Sequence, residues 1–297
     1  MLWNVSKTYS EKGKEMYKIG LSTCGSKPLN EETFKSFAES GLQAMEISLP
    51  PLEYEQINYS DLKRFSDEYN IKLSYHLPFY MPEAYEQIDP SDLEKEIRKK
   101  TIDLFAKLIN RASEIGIDKF IVHASKEPIT YDVRRQRMEY AKQSLCQLAD
   151  IAQKCGGVIA VEDLPRTCLG NTSEEILELL EADSRLMVCL DTNHLLHESN
   201  ADFIRKIGNR IITTHISDYD FINERHWLPG EGKVNWNDVL DALGEINYSG
   251  VWMYEISYKP AKTIIRPRDL VPSDFYTNAK EIFSRKSPTL ISTGKNI

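Results

Sequence analysis

Side chains that can bind a metal recur at the ends of short apolar runs in this chain of 297 residues. Four of its six histidines follow such a run, namely His76, His123, His194 and His215. Acidic residues occupy similar places, with Glu162 in GVIAVED, Glu255 in VWMYEIS and Asp191 three residues before His194. Short runs rich in β-branched residues are typical of buried strands, and carboxylates and imidazoles are common metal ligands. The pattern predicts a metal-dependent catalytic site.

Four of these residues follow successive runs in the second half of the chain and form the candidate metal site: Glu162, Asp191, His215 and Glu255. Three carboxylates and one imidazole suit Mn²⁺, Mg²⁺ or Co²⁺, and Zn²⁺ is also compatible. Three converging carboxylates would repel one another without a cation between them. Taken singly, each residue has a simpler interpretation, as the start of a loop or a hydrogen-bonded structural histidine. His197 lies beyond its strand end and is assigned no role.

Eight strand signals alternate with helical patterns, at residues 17–23, 44–50, 71–76, 119–125, 157–163, 186–191, 210–217 and 250–257. We predict a single (β/α)₈ barrel over residues 17–285, whose strands end on one face. An N-terminal extension (1–16) precedes it, and a frayed tail (286–297) follows. Asn30 is predicted to cap a helix, and Ser91 with Glu94 and Thr172 with Glu175 to form capping boxes. A doubly wound open sheet is the alternative, but no G-x-G-x-x-G follows the first strand.

The composition limits the classes of partner. A net charge of −8 disfavours binding to nucleic acid. The five cysteines form no C-x-x-C motif and are typical of a reduced compartment. The N-terminus has no apolar signal region, and no apolar run approaches the length of a membrane span. We therefore expect a cytoplasmic protein, whose association into homo-oligomers the sequence leaves open.

Four segments in order resemble the xylose-isomerase-like barrels, which include sugar isomerases, ketose 3-epimerases and the family 2 apurinic endonucleases. They are VEDLP (161–165), CLDTNH (189–194), HISDYD (215–220) and HWLPGEGKVNW (226–236), within a resemblance that spans residues 17–285. The resemblance implies one divalent metal ion on Glu162, Asp191, His215 and Glu255. It also implies that Glu162 and Glu255 are catalytic, moving protons next to the carbonyl of a sugar or keto-sugar through a metal-bound cis-enediolate. His194 resembles the family histidine that binds substrate oxygens, and His76, His123, Arg225 and His226 are further candidate substrate contacts.

The same resemblance leaves other functions open. The endonucleases bind three zinc ions, and His76, His123 and the segment Glu224-Arg225-His226 lie where their extra ligands lie. Against this, the chain is acidic, has EDLP where those enzymes have a Glu-Asn pair, and lacks their Pro-Gly after the strand-four histidine. A keto-sugar lyase or dehydratase, or a non-catalytic sugar-binding barrel, would use the same site. The chain also has Asp218 to Phe221 where ketose epimerases usually carry an arginine, and the glycines of LPGEG (228–232) are predicted to let that loop approach a ligand.

Overall fold

The computed structural model describes residues 16–24, 27–79 and 87–297. Eight parallel strands form one sheet in which chain neighbours pair and β1 also pairs with β8. The strands are β1 (Lys18–Ser22), β2 (Ala44–Ile47), β3 (Lys72–His76), β4 (Lys119–Val122), β5 (Val158–Glu162), β6 (Met187–Asp191), β7 (Ile211–His215) and β8 (Val251–Tyr254). All eight lie within the predicted runs, because buried β-branched residues mark them clearly in the sequence.

The sheet closes on itself between β7 and β8. The backbone N–H of Ile216 donates to the carbonyl of Met253 over 2.7 Å, within a parallel bridge that pairs Ile216 with Tyr254. The Thr214 hydroxyl adds a hydrogen bond of 2.9 Å to the carbonyl of Val251. The predicted single (β/α)₈ barrel is therefore confirmed, and all strands direct their carboxyl ends to one face.

In the described part of the chain, eight α-helices surround the strands: α1 (Glu31–Glu39), α2 (Tyr59–Tyr69), α3 (Lys95–Ser113), α4 (Tyr131–Lys154), α5 (Ser173–Leu180), α6 (Asn200–Ile207), α7 (Trp236–Glu245) and α8 (Pro272–Phe283). Their apolar faces pack on the sheet and bury most of the aliphatic and aromatic side chains. Asn30 caps α1 as predicted, since its side chain accepts from Thr33 N at 3.0 Å. Among the described residues, no helix combines the length and apolarity needed to cross a bilayer.

The capping box predicted at Ser91 is wrong. Helix α3 begins at Lys95, and the Ser91 hydroxyl instead donates to Asp89 at 2.8 Å. Asp89 and Ser91 both bind the buried guanidinium of Arg137, which lies on α4. This contact between distant segments satisfies the polar groups that the local pattern assigned to the helix start. The box at Thr172 is half formed, because Thr172 accepts from Glu175 N but the Glu175 side chain binds elsewhere.

The prediction of a frayed C-terminal tail is also wrong. Gly294–Lys295 (β10) pairs antiparallel with Ile264–Ile265 (β9). The backbone N–H of Ser292 donates to the buried carboxylate of Glu231, which also pairs with Arg266. The tail therefore packs on the loop that precedes α7. Apart from Met16, the predicted N-terminal extension lies outside the described residues.

Candidate metal centre

The carboxyl ends of the strands gather the polar residues on the barrel face. His76, Glu162, Asp191 and His215 are the last residues of β3, β5, β6 and β7, and Glu255 directly follows β8. His123 directly follows β4, and His194 lies in the turn after β6. The first four side chains are fully buried, while those of His123 and Glu255 are partly exposed. The parallel ladders thus bring together residues that are far apart in the sequence.

The four predicted metal ligands converge around one ring nitrogen. His215 Nδ1 lies 3.0 Å from Glu162 Oε1, 3.9 Å from Asp191 Oδ2 and 3.7 Å from Glu255 Oε2. One potential ligand atom from each of the four residues lies within 4.8 Å of the others. Three carboxylate oxygens and one imidazole nitrogen are a donor set for a hard or borderline divalent cation.

The charges of the site independently indicate a place for a cation. Among the described residues, no hydrogen-bond partner satisfies the buried Oδ2 of Asp191. Burial raises the pKa of Asp191 to about 7, and the nearby carboxylates of Glu255 and Glu162 add to that effect. A divalent cation would satisfy this oxygen and remove the repulsion between the carboxylates. The residues therefore fit a metal ion.

A buried carboxylate from the other half of the barrel contacts His215. Glu46 on β2 places Oε1 2.8 Å from His215 Nε2, opposite the nitrogen that faces Glu162. Burial alone would lower the pKa of His215, but its acidic neighbours outweigh burial and raise that pKa well above its usual value. An imidazole with acceptors at both nitrogens is satisfied either by a second proton or by a metal ion at one of them.

Two more histidines contact the second oxygen of Glu162. His76 Nε2 and His123 Nε2 lie 3.0 and 3.2 Å from Glu162 Oε2. His76 Nδ1 donates to the carbonyl of Leu77 over 2.8 Å, so its Nε2 is the nitrogen available to a ligand. The ring of Phe79 stacks on His123 at 4.8 Å between centroids. His76, His123 and Glu162 form a second group that could hold a metal.

A third group contains His194, Glu224 and His226. His194 Nε2 lies 3.0 Å from Glu224 Oε1, and its Nδ1 donates to the carbonyl of Asp163 over 2.8 Å. Burial alone would raise the pKa of Glu224, but His194 and the guanidinium of Arg166 lower it to about 2. His226 Nδ1 donates to the carbonyl of Glu255 over 3.1 Å. Glu224 is thus an ionised carboxylate at the edge of the candidate site.

The loop after β7 places its two predicted substrate contacts differently. His226 lies beside the site, with its ring 6.3 Å from that of His194. Arg225 contributes its backbone N–H to Asn193 Oδ1, while its guanidinium pairs with Asp220 over 2.7 Å. The Arg225 side chain therefore binds within its own loop.

The LPGEG segment is held by the protein, which differs from the predicted approach to a ligand. The backbone N–H of Gly230 donates to Asp218 Oδ2 over 2.8 Å, and Glu231 pairs with Arg266. The positive φ of Gly230, 97°, lets the chain turn against Pro288 of the C-terminal tail. The glycines permit close approaches within the same chain, Gly230 to the C-terminal tail and Gly232 to Asp218 and the Tyr219 carbonyl.

Sequence reasoning missed Glu46 and gave Glu224 no role of its own. Glu46 lies inside the apolar run AMEISLP, and a charged residue at an inward position of a buried strand was the available signal. Glu224 lies in a polar loop where single acidic residues carry no local signal. Only the folding of that loop over the barrel end brings its carboxylate to His194.

Fold and site together define a (β/α)₈ barrel with a group of residues at its carboxyl-terminal face that could hold a metal ion. A family model described as xylose isomerase-like TIM barrel matches residues 34–272, and the chain belongs to this family. The protein MJ1311 of Methanocaldococcus jannaschii is 27% identical over 249 residues, 80% of this chain and 82% of that one. A D-psicose 3-epimerase of Ruminiclostridium cellulolyticum is 26% identical over 225 residues, 72% of this chain and 73% of the enzyme. The crystal structure of a D-tagatose 3-epimerase-like protein shares the fold with a TM-score of 0.74 and 24% identity, covering 90% of this chain and 96% of that one.

Proposed function

We propose that this protein is a metal-dependent isomerase that epimerises a small sugar or keto-sugar by proton transfer next to a carbonyl. The observation that carries the proposal is the convergence of Glu162, Asp191, Glu255 and His215 at the barrel mouth. The likeness to a D-psicose 3-epimerase supports a sugar as the substrate. The partly exposed carboxylate of Glu255 gives the site a reactive group that a ligand can reach.

Glu162, Asp191, His215 and Glu255 would hold the metal ion. A divalent ion bound there would polarise the substrate carbonyl and acidify the neighbouring C–H bond. Glu255 is the better candidate for the first proton acceptor, because Glu162 already has histidine nitrogens at both oxygens. In the metal-free site burial would raise the pKa of Glu255, but the neighbouring His215 outweighs burial and lowers that pKa. A cation at the same place would likewise keep the carboxylate ionised and able to accept a proton.

The second proton transfer completes the inversion. Removal of the proton would leave a cis-enediolate on the substrate. Glu162 would then pass to the opposite face of the same carbon a proton that it takes from His76 Nε2, 3.0 Å from its Oε2, and exchange with solvent would restore both the His76 proton and the free Glu255 carboxylate. His123, which is partly exposed beside Glu162, would donate a hydrogen bond to a substrate oxygen. His194 would do so by exchanging Glu224 at its Nε2 for the substrate. The ring of Phe79 packs on His123 at this side of the site.

Solvent deuterium exchange tests the proton transfer. The metal-loaded protein is incubated in D₂O with a panel of ketoses and 3-keto sugars, and exchange at carbon is followed by NMR. Glu255→Gln is expected to slow exchange by about 10²–10⁴-fold, the contribution of one general base. Glu127→Gln is the matched control, because Glu127 pairs with Arg166 at the rim and contacts none of the four ligands. Absence of exchange with every sugar, or equal rates for the two variants, contradicts the proposal.

The exchange products also separate related reactions on the same site. An epimerase returns a sugar with an inverted carbon, whereas a keto-sugar lyase or dehydratase expels a leaving group from the enediolate. If the barrel only binds a sugar, the sugar would raise the unfolding temperature of the protein but none of its C–H protons would exchange with solvent.

A second candidate function, a three-metal phosphodiesterase, is favoured by one specific observation. Two of the other potential ligand groups extend to either side of the central one. The first is His76, His123 and Glu162, which shares Glu162 with the central group, and the second is His194, Glu224 and His226. Metal analysis of protein purified without added metal distinguishes the candidates. About one Mn, Co or Mg per chain supports the sugar isomerase, whereas about three Zn per chain with cleavage of abasic DNA supports the phosphodiesterase.

A further inference from the structure

Glu46 is a buried acidic residue that the proposed chemistry does not use. It lies on β2, its side chain is fully buried, and β2 and β7 are not neighbours in the sheet. Its contact with His215 therefore crosses the barrel interior, with Oε1 2.8 Å from Nε2. Its other oxygen accepts a hydrogen bond of 3.3 Å from the hydroxyl of Ser74, which is the residue paired with Glu46 on β3.

The contact with Glu46 favours one position for the ring proton of His215. Both ring nitrogens face carboxylate oxygens, Nε2 that of Glu46 at 2.8 Å and Nδ1 that of Glu162 at 3.0 Å. When the single proton of a neutral His215 lies on Nε2, the Glu46 carboxylate accepts a hydrogen bond from it. The lone pair of the ring then lies on Nδ1, which faces Glu162, Asp191 and Glu255. Without Glu46, the Glu162 oxygen 3.0 Å from Nδ1 would hold the proton on that nitrogen instead. The lone pair would then point away from the other ligands.

We propose that Glu46 is a positioning residue that holds His215 in the Nε2–H tautomer and so directs Nδ1 to the metal ion. The inference rests on the metal centre proposed above. Carboxylates that accept from the second nitrogen of a ligating histidine orient the ring and raise its basicity. Ser74 fixes the Glu46 carboxylate in turn, so the chain of contacts runs from β3 through β2 to β7.

Calorimetric titration of metal-free protein with Mn²⁺ and Zn²⁺ provides the first test. Glu46→Met, which keeps the bulk but removes the acceptor, is expected to weaken metal binding by about 10–100-fold, the usual effect of losing such a partner. Glu175→Gln is the control, because it changes a glutamate that binds Arg134 in the outer helical layer. Equal affinities of the parent and Glu46→Met overturn the inference. A parent that binds neither metal instead removes the metal centre on which the proposed function depends.

Long-range ¹H–¹⁵N spectra of the zinc-loaded parent provide a test that needs no variant to fold. The expected spectrum shows the His215 proton on Nε2 and the metal-bound nitrogen at Nδ1. A proton on Nδ1 overturns the inference, even if the protein binds the metal tightly. If Glu46 had only a structural role, Glu46→Met would lower the unfolding midpoint of the metal-free protein but leave the His215 tautomer unchanged.

Discussion

Replacing Arg266 with methionine should destabilise the barrel through the charge that it leaves behind. The guanidinium of Arg266 and the carboxylate of Glu231 are almost completely buried and lie 2.5 Å apart. After the change, Glu231 keeps hydrogen bonds from the backbone N–H groups of Leu228 and Ser292, at 3.0 and 3.1 Å, but loses its cationic partner. Removing one member of a buried pair costs about 3–5 kcal/mol in the free energy of unfolding.

Urea unfolding followed by circular dichroism measures this loss. Arg268→Met is the matched control, because Arg268 lies two residues away and pairs with Asp274 while about half exposed, at 51%. An exposed pair of this kind contributes about 0–1 kcal/mol. The double variant Arg266→Met with Glu231→Gln should recover part of the loss, since no unpaired charge then remains buried. Similar losses for Arg266→Met and Arg268→Met would refute the reasoning.

Three further substitutions test local features of the fold by the same unfolding measurement. Gly232→Ala should destabilise the protein strongly, because a Cβ there would overlap Asp218 Oδ1 and a neighbouring carbonyl oxygen; an unchanged midpoint would contradict the close approach. Gly244→Ala on α7 should stabilise by about 0.5–1 kcal/mol, since nothing lies within 4 Å of the added methyl group, and a loss of stability would refute this. Asn30→Ala should cost about 1 kcal/mol through loss of the hydrogen bond from Thr33 N, and no cost would mean that α1 begins without its cap.

The elements of the barrel could be predicted from the sequence because their signals are local. Each strand is a short apolar run. The end of that strand sets the position of the site residue that comes there. This is why Glu162, Asp191 and His215, which end three successive strands, converge as the spacing indicates. Because the strands are parallel, their carboxyl ends all lie on one face of the barrel, and this brings the site residues together.

The features that could not be predicted from the sequence depend on contacts between distant segments. Ser91 has the pattern of a helix cap, but Arg137 on another helix satisfies it together with Asp89. The C-terminal tail has no strand pattern, and it is ordered through the Glu231 carboxylate on the loop before α7. No local pattern contains such partners, because they exist only after the helices and loops have packed.

Closure of the barrel between β7 and β8 also sets an order of events during biosynthesis. The ribosome makes Glu162 and Asp191 before His215, and Glu255 follows the last barrel strand, so a growing chain lacks the complete donor set until β8 has emerged. Binding of a metal ion by all four proposed ligands would therefore require that the end of β8 has already made its contacts with Ile216. A metal ion that binds only the complete barrel would stabilise the native state by mass action. It would not stabilise intermediates that still lack β8.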